Sequence, residues 1–334
     1  MAKHIGIDLG TSFTRIFLPG RGIVMREPSA AAVDTENSEL LTAGSEAAAM
    51  LGRTSESLEI CYPVRDGVIA RCDVACAMLQ SFWENAAGKP IRRPDVSVAV
   101  PWGITEVERR AVEEVLYDAG AKNVTVLEKS LMAALGAGIR ATQPRGCMII
   151  DLGGGMTETA VMSLGGVVRA SSVRVAGEQL NEAISAHIRR KYNLMISTRT
   201  AEAIKHNIGS VYPRLDRGTM EIRGRDVVSG LLKTVAVTSR DTFEAMSDPL
   251  LLMMESVRTT LENIPPEISA DLLEDGILLT GGGSALGGIT ELLSEVTHLE
   301  VRQAAHPQDC VIAGIGKLLD FRGDPEKLLR FHAE

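Results

Sequence analysis

The sequence predicts an α/β fold of two duplicated lobes, each with a mixed β-sheet flanked by helices, around a central cleft. Two observations lead to this prediction. A strand–turn–strand motif occurs twice, 143 residues apart, and the remaining segments alternate between strand and helix patterns. A third observation, a glycine triplet that follows an apolar strand, adds another loop to the predicted cleft.

The two copies of the motif share an apolar strand, Asp-Leu-Gly, small residues with Thr, and a second alternating strand. They are HIGIDLGTSFTRIFLPGRGIV (4–24) and CMIIDLGGGMTETAVMSLGGVV (147–168), with aspartates Asp8 and Asp151. A glycine-rich turn can bring backbone N–H groups against phosphate oxygens. An aspartate at the end of the entering strand can hold hydrated Mg²⁺ between two such turns. A plain β-hairpin would explain one copy, whereas two copies with the aspartate at the same point favour a phosphate site.

The glycine triplet lies in GILLTGGGSALGGITELLSE (276–295), which predicts a strand, the glycines, Ser284 and then a helix. A helix N-terminus there would supply oriented N–H donors and a dipole that favours a nucleotide. Alone, the triplet is weak evidence, but together with the two hairpins it indicates a nucleotide cleft.

The other elements follow the pattern of an α/β body. A strand at 95–101 precedes an amphipathic helix for which Thr105 is the expected N-cap, and residues 125–140 predict a strand and a helix that ends at glycines. Further predictions are helices at 177–193 and 197–211, paired strands at 219–238, and a long helix at 247–268 that Pro265 and Pro266 end.

Composition excludes several classes of protein. A net charge of −8 argues against an electrostatically driven nucleic-acid binder. The five cysteines show neither a CxxC pair nor zinc-ligand spacing, which favours ordinary buried thiols in a reducing cytoplasm. The first strand begins within a few residues of Met1 and no apolar run reaches membrane-spanning length, so neither a signal peptide nor a membrane span is expected.

The strand–DLGT, strand–DLGGG and strand–TGGGS set resembles the actin, heat-shock chaperone and sugar-kinase ATPase superfamily, and within it the MreB/Mbl family of bacterial actins. The segments that support the closer resemblance cover nearly the whole chain. They are GRGIVMREPSAAAV (20–33), MLGRT (50–54), PVRDGVIA (63–70), VPWGITEVERRAV (100–112), SLGGVVRASSVRVAGEQLNEAI (163–184), IRRKYNLMI (188–196), RTAEAIKHNIGS (199–210), RGRDVVSGLLKTV (223–235) and LLEDGILLTGGGSALGGI (272–289).

The resemblance implies a cytoplasmic protein with an actin-like ATPase fold that binds ATP or ADP with Mg²⁺. It also implies polymerisation into filaments involved in cell shape and cell-wall organisation, with other filaments of this type and the cell-wall machinery as partners. Lobe I would span 1–140, with a small inserted subdomain at about 32–75, and would be completed by 307–334. Lobe II would span 141–306, with an insert at about 180–243.

Site residues follow from the same resemblance. Asp8 and Asp151 match the magnesium-site aspartates, and Asp151 is also a catalytic candidate. The nucleotide contacts are expected from Gly10, Thr11 and Ser12 in the first hairpin, Gly153, Gly154 and Gly155 in the second, Gly177 and Glu178 at the next loop, Glu202 and Lys205 for ribose and adenine, and Gly281, Gly282 and Gly283 beside the adenine.

The sequence departs from the family at the position of the usual catalytic glutamate, where it has Lys129. A carboxylate can accept a hydrogen bond from the attacking water, whereas an ammonium group only donates. We therefore predict slow or absent hydrolysis; the alternative is that Lys129 points outward and Glu128, a water or another residue takes the role. Two smaller departures are Met156, where the family favours a hydroxyl, and Arg71, where it has an acidic residue.

Membrane contact is a further expectation, with a solvated loop as its alternative. The loop at 85–95 places Ile91 beside Arg92 and Arg93, which could touch anionic lipid or could simply be solvated.

Two other functional classes are alternatives: a soluble ATPase of the superfamily, either a chaperone or a sugar kinase, and a regulatory pseudo-ATPase. A chaperone would need a C-terminal substrate domain, and a sugar kinase would need a sugar pocket, and neither is evident. A regulatory pseudo-ATPase of the same superfamily, which binds nucleotide without polymerising, remains open.

Overall fold

A computed structural model of the chain describes residues 4–88, 93–139 and 143–321. The strands are β1 (His4–Leu9), β2 (Phe13–Leu18), β3 (Gly22–Pro28), β4 (Ala31–Asp34), β5 (Leu40–Ala43), β6 (Leu58–Cys61), β7 (Val64–Arg65), β8 (Val68–Ile69), β9 (Asp95–Val100), β10 (Asn123–Glu128), β11 (Cys147–Leu152), β12 (Thr157–Ser163), β13 (Gly166–Val173), β14 (Leu194–Met195), β15 (Thr219–Asp226), β16 (Leu232–Thr238), β17 (Ile277–Thr280) and β18 (Val301–Gln303). The helices are α1 (Ser45–Met50), α2 (Cys72–Ala87), α3 (Glu106–Asp118), α4 (Lys129–Ala137), α5 (Gly177–Tyr192), α6 (Thr198–Ile208), α7 (Ser239–Glu262), α8 (Pro266–Asp275), α9 (Ile289–Thr297) and α10 (Cys310–Asp320).

Two five-stranded sheets of the same topology form the centres of the two lobes. The first has the order β10-β9-β1-β2-β3 and the second the order β18-β17-β11-β12-β13. In each, the first two strands of the hairpin motif pair antiparallel, and the entering strand also pairs parallel with a strand from later in its half. The repeated sequence motif therefore marks a repeated sheet, as predicted.

Each sheet has its own apolar core. The first core packs β1 and β9 against α2 and α3, with Trp83 and Leu116 buried between them. The second packs β11 against α5, α6 and α7 around Ile150 and Ile184. Smaller sheets are inserted into each half: β5-β4-β6 within the first and β14-β15-β16 within the second. The residue limits predicted for the lobes stay a prediction.

Helices α4 and α10 cross closely between the two sheets. A Cβ atom added at Gly136 would overlap the Cys310 carbonyl oxygen, and one added at Gly314 would overlap the Met132 carbonyl oxygen. The glycines therefore allow backbone contact between the helices. This contact helps to fix the position of Lys129, the first residue of α4.

Several predicted elements are confirmed and two need correction. Helix α3 has Thr105 as its N-cap, with a capping box that Glu108 completes. The long helix α7 starts at Ser239 rather than at 247, because Thr238 and Asp241 form a capping box there, and it ends at Glu262. The glycine triplet leads first into a 3₁₀ turn (Gly282–Ala285), and the next helix begins only at Ile289.

Candidate nucleotide cleft

The turns of the two hairpins have the same backbone structure. The N–H of Gly10 donates to the Phe13 carbonyl oxygen at 3.1 Å, and the N–H of Gly153 donates to the Met156 carbonyl oxygen at 2.9 Å. A Cβ atom on either glycine would lie within 2.8 Å of that accepting oxygen. Glycine is therefore required at both positions by the close approach of the turn's own backbone.

The two turns lie tip to tip. A Cβ atom on Gly155 would lie 2.6 Å from Thr11 Oγ1, and one on Gly154 would overlap Ser12 Oγ. Thr11 Oγ1 also accepts a hydrogen bond from the N–H of Gly67 at 3.1 Å, in the β7–β8 turn. Small residues are needed because the turns approach each other across the cleft.

One pocket brings the predicted site residues together. Among the predicted site residues, Glu128 is the exception, because it is exposed and does not line this pocket. The predicted residues that line the pocket are Asp8, Gly10, Thr11, Ser12, Lys129, Asp151, Gly153, Gly154, Gly155, Gly177, Glu178, Glu202, Lys205, Gly281, Gly282 and Gly283.

Lys129 points into the cleft rather than outward. Its Nζ lies 2.8 Å from Asp151 Oδ2 and 3.5 Å from Glu158 Oε2, and its side chain is only 16% exposed. Burial alone would lower the pKa of Lys129, but attraction to Asp151, Glu158 and Asp8 outweighs burial and raises that pKa above its ordinary value. The side chain is therefore a permanent cation at the base of the second hairpin.

Strand register gives each aspartate a cross-strand neighbour that was not predicted for the site. Asp8 lies opposite Arg15, and Asp151 lies opposite Glu158. In both copies the neighbour comes seven residues after the aspartate, so the repeat itself carried a signal for these two positions. Cross-strand neighbours on one face interact directly.

The cross-strand neighbour of Asp8 is a cation. Arg15 Nη1 lies 3.2 Å from Asp8 Oδ2, and Arg15 Nε lies 3.4 Å from Asp309 Oδ1. Arg26 also binds Asp309, with Nε donating to Oδ1 at 3.0 Å and Nη2 donating to Oδ2 at 2.8 Å. Burial raises the pKa of Asp8, and the charge of Arg15 opposes that effect.

The cross-strand neighbour of Asp151 is instead a second acid. Glu158 is 1% exposed, and its Oε1 accepts a hydrogen bond from the Trp102 backbone N–H at 2.8 Å. Burial raises the pKa of Glu158, while Lys129 opposes the shift. Asp151 Oδ1 accepts a further hydrogen bond from Thr280 Oγ1 at 3.0 Å.

The far end of the cleft is formed by the N-terminus of α5 and one face of α6. Lys205 Nζ donates to the Gly177 carbonyl oxygen at 2.7 Å, and burial lowers the pKa of Lys205 to about 8. The side-chain contact with His206 holds the pKa of Glu202 below its ordinary value. The N–H of Glu178 donates to the Gly154 carbonyl oxygen, which joins α5 to the second hairpin.

The carboxylates predicted for magnesium do not fit a dication as they are placed. Asp8 faces the guanidinium of Arg15, and both oxygens of Asp151 have donors, Lys129 and Thr280. Mg²⁺ needs near-octahedral oxygen ligands and would lie beside two fixed positive charges.

Comparison with known proteins identifies the family. The family model described as MreB/Mbl protein matches residues 2–327. The chain belongs to the MreB/Mbl family. It is 40% identical over 320 residues to the cell shape-determining protein Mbl of Bacillus subtilis, covering 96% of each chain. It is 41% identical over 325 residues to the cell shape-determining protein MreB of Escherichia coli, covering 96% of this chain and 94% of that one.

Solved structures of MreB/Mbl relatives agree with the fold. MreB5 of Spiroplasma citri bound to ADP matches with a TM-score of 0.89 and 34% identity, covering 96% of this chain and 98% of that one. The AMPPNP-bound form of the same protein matches with a TM-score of 0.88 and 35% identity, covering 93% of this chain and 94% of that one. The MamK double helical filament, at 0.80 and 21% identity over 96% of this chain and 99% of that one, shows the fold alone. The fold is thus an actin-like ATPase fold, as predicted.

The smaller departures from the MreB/Mbl pattern have different surroundings. Met156 is buried in the cleft beside Gly67, whereas Arg71 is partly exposed between Asp73 and Glu59. Of the predicted membrane loop, Ile91 and Arg92 lie outside the described residues and Arg93 is exposed, so lipid contact stays a prediction. In the described ranges, no helix has the length and apolar character needed to cross a membrane.

Proposed function

We propose that this chain binds ATP or ADP in the cleft and polymerises into filaments that organise cell shape and the cell wall. The cleft between the duplicated hairpins is the observation that carries the proposal. It is supported by relatives described as cell shape-determining and by similar structures described as bound to ADP and AMPPNP. The filaments would work in the cytoplasm, with other filaments of the family and the cell-wall machinery as partners.

We further propose that hydrolysis is slow because Lys129 occupies the position expected for the catalytic glutamate. An ammonium group has no acceptor for a proton of the attacking water. Its ion pairs with Asp151 and Glu158 hold it in the cleft, which favours this interpretation over an outward-pointing lysine.

Electron microscopy of the purified chain tests polymerisation. We expect ordered protofilaments with ATP or with a non-hydrolysable analogue. The opposite result is that filaments are absent with ATP, with the analogue and without nucleotide. If the chain still binds nucleotide in that case, the result supports the regulatory pseudo-ATPase.

Single-turnover phosphate release tests hydrolysis. Lys129→Glu restores an acceptor and should raise the rate by roughly 10²–10⁴, the usual contribution of a positioned acid or base. Lys122→Glu is a matched control, because Lys122 is an exposed lysine outside the cleft lining. Rapid turnover by the native chain that Lys129→Ala leaves unchanged would contradict the proposal.

A further inference from the structure

The cleft already contains cations at the points where its aspartates would meet a metal. Asp8 pairs with Arg15, and Asp151 pairs with Lys129, and these four residues line the same pocket. With Glu158 included, three carboxylates and two cations leave one net negative charge. A glutamate in place of Lys129 would leave three negative charges, so the lysine greatly reduces the attraction of this end of the cleft for a dication.

The Lys129 ammonium group lies beside the turn of the second hairpin. Lys129 Nζ is 3.8 Å from the position that a Cβ atom on Gly153 would occupy. The ammonium has three donors, and the neighbouring acids are Asp151 and Glu158. A donor is therefore available towards the side where Gly153, Gly154 and Gly155 line the pocket.

The acids cannot readily turn from these cations to a metal. Asp151 is held from both sides, by Lys129 and by Thr280, and it is buried. Glu158 is held by the Trp102 N–H, and its other oxygen, Oε2, has no hydrogen-bond partner among the described residues although Lys129 is near. Pulling Lys129 away would leave two buried acids without a cation, which is costly.

We propose that this chain binds the metal-free nucleotide polyphosphate, with the Lys129 ammonium as a direct counter-ion of the phosphates. Arg15 neutralises Asp8 and Lys129 neutralises Asp151, so that Glu158 contributes the one unbalanced negative charge at this end of the cleft. This inference rests on the proposed nucleotide binding and deepens it, since it names the ionic form of the ligand. Charge-assisted contacts of an ammonium with phosphate are strong enough for such a role.

Calorimetric titration with ADP and with a non-hydrolysable ATP analogue tests the inference. Each titration is done with excess magnesium chloride and with excess EDTA. For the native chain we expect a dissociation constant at least roughly threefold larger in magnesium chloride than in EDTA, because magnesium competes with the protein for the polyphosphate. For Lys129→Glu we expect a loss of at least roughly tenfold in EDTA that magnesium restores, because the reversed charge then needs a dication.

Two further variants keep the result interpretable. Lys129→Met has a similar length without charge, so it should become magnesium-dependent even where Lys129→Glu fails to fold. Lys122→Glu changes the charge by the same amount outside the cleft and should behave as the native chain. Tighter binding by the native chain in magnesium than in EDTA, or no such preference for magnesium in Lys129→Met, would overturn the inference.

Manganese electron paramagnetic resonance gives a direct readout. By linkage, a protein that prefers metal-free nucleotide competes with the metal for it. Adding the native chain to a mixture of Mn²⁺ and ADP should therefore increase the free Mn²⁺ signal. A decrease would indicate a ternary complex and would contradict the inference while leaving nucleotide binding intact; absence of any ADP binding in the titrations would instead remove the proposed function.

Discussion

The two glycine hairpins have the same backbone but neutralise their buried aspartates in different ways. In the first, the partner of Asp8 is Arg15 on the adjacent strand of the same hairpin. In the second, the equivalent strand position holds an acid, Glu158, and the cation comes from Lys129 at the start of α4. The first hairpin is thus locally balanced, whereas the second depends on a helix from outside it. Duplication repeated the backbone without repeating the charges.

This difference predicts that the second hairpin is the more fragile one. We expect Lys129→Met to lower the free energy of unfolding by roughly 3–5 kcal/mol, because it leaves Asp151 and Glu158 buried beside each other without a cation. Urea denaturation without nucleotide measures the effect. The double variant Lys129→Met with Glu158→Gln should recover much of the loss, and no recovery would show that Lys129 stabilises the fold mainly by packing.

The pH dependence of that loss separates charge from packing. Burial already raises the pKa of Glu158, and removing Lys129 should raise it further. An acid with a raised pKa in the folded state binds more protons there than in the unfolded state, so its contribution to stability grows as pH falls. The cost of Lys129→Met should therefore shrink by about 1–3 kcal/mol between about pH 8 and about pH 5.

The difference in the free energy of unfolding between the native chain and Lys129→Met isolates this effect, since the other carboxyl groups titrate alike in these two proteins. The Lys129→Met, Glu158→Gln double variant provides the control, and its cost should change little with pH. A cost of Lys129→Met that stays constant over this range would rule out protonation of Glu158 as the reason.

The local hairpin should tolerate loss of its cation better. The Arg15 side chain is only 12% exposed. When Arg15 is removed, Asp309 keeps its contacts with Arg26, so that Asp8 alone loses its paired cation. Because burial already favours the protonated form of Asp8, we expect Arg15→Met to cost about 1–3 kcal/mol. Urea denaturation alongside Lys129→Met makes the comparison, and an equal or larger cost for Arg15→Met would reverse the ranking of the hairpins.

How far the sequence predicts this cleft depends on the distance over which each feature is determined. The hairpin turns and the Thr105 cap are local, and their patterns predicted them correctly. The start of α7 was predicted at 247 rather than at Ser239, because the Thr238 and Asp241 capping box was not recognised in the sequence.

The ion pairs of Lys129 with Asp151 and Glu158 could not be predicted from local sequence patterns. It requires α4 to be placed by its close crossing with α10 at Gly136 and Gly314, which joins segments more than a hundred residues apart. The sequence could identify Lys129 as unusual, but its partners depend on tertiary packing. Arg15 and Glu158 could have been found by comparing the two repeats position by position.

The outermost cation of the first hairpin should matter least. Arg26 is 51% exposed, so its ion pair with Asp309 is screened by solvent, and exposed pairs contribute at most about 1 kcal/mol. We expect Arg26→Gln to change the free energy of unfolding by less than about 1 kcal/mol, and by less still at high salt. Arg258→Gln, which breaks an exposed pair with Glu262 on α7, is the matched control. If Arg26→Gln costs as much as Arg15→Met, then Asp8 depends on the whole Arg15–Asp309–Arg26 chain, and the first hairpin is no more locally balanced than the second.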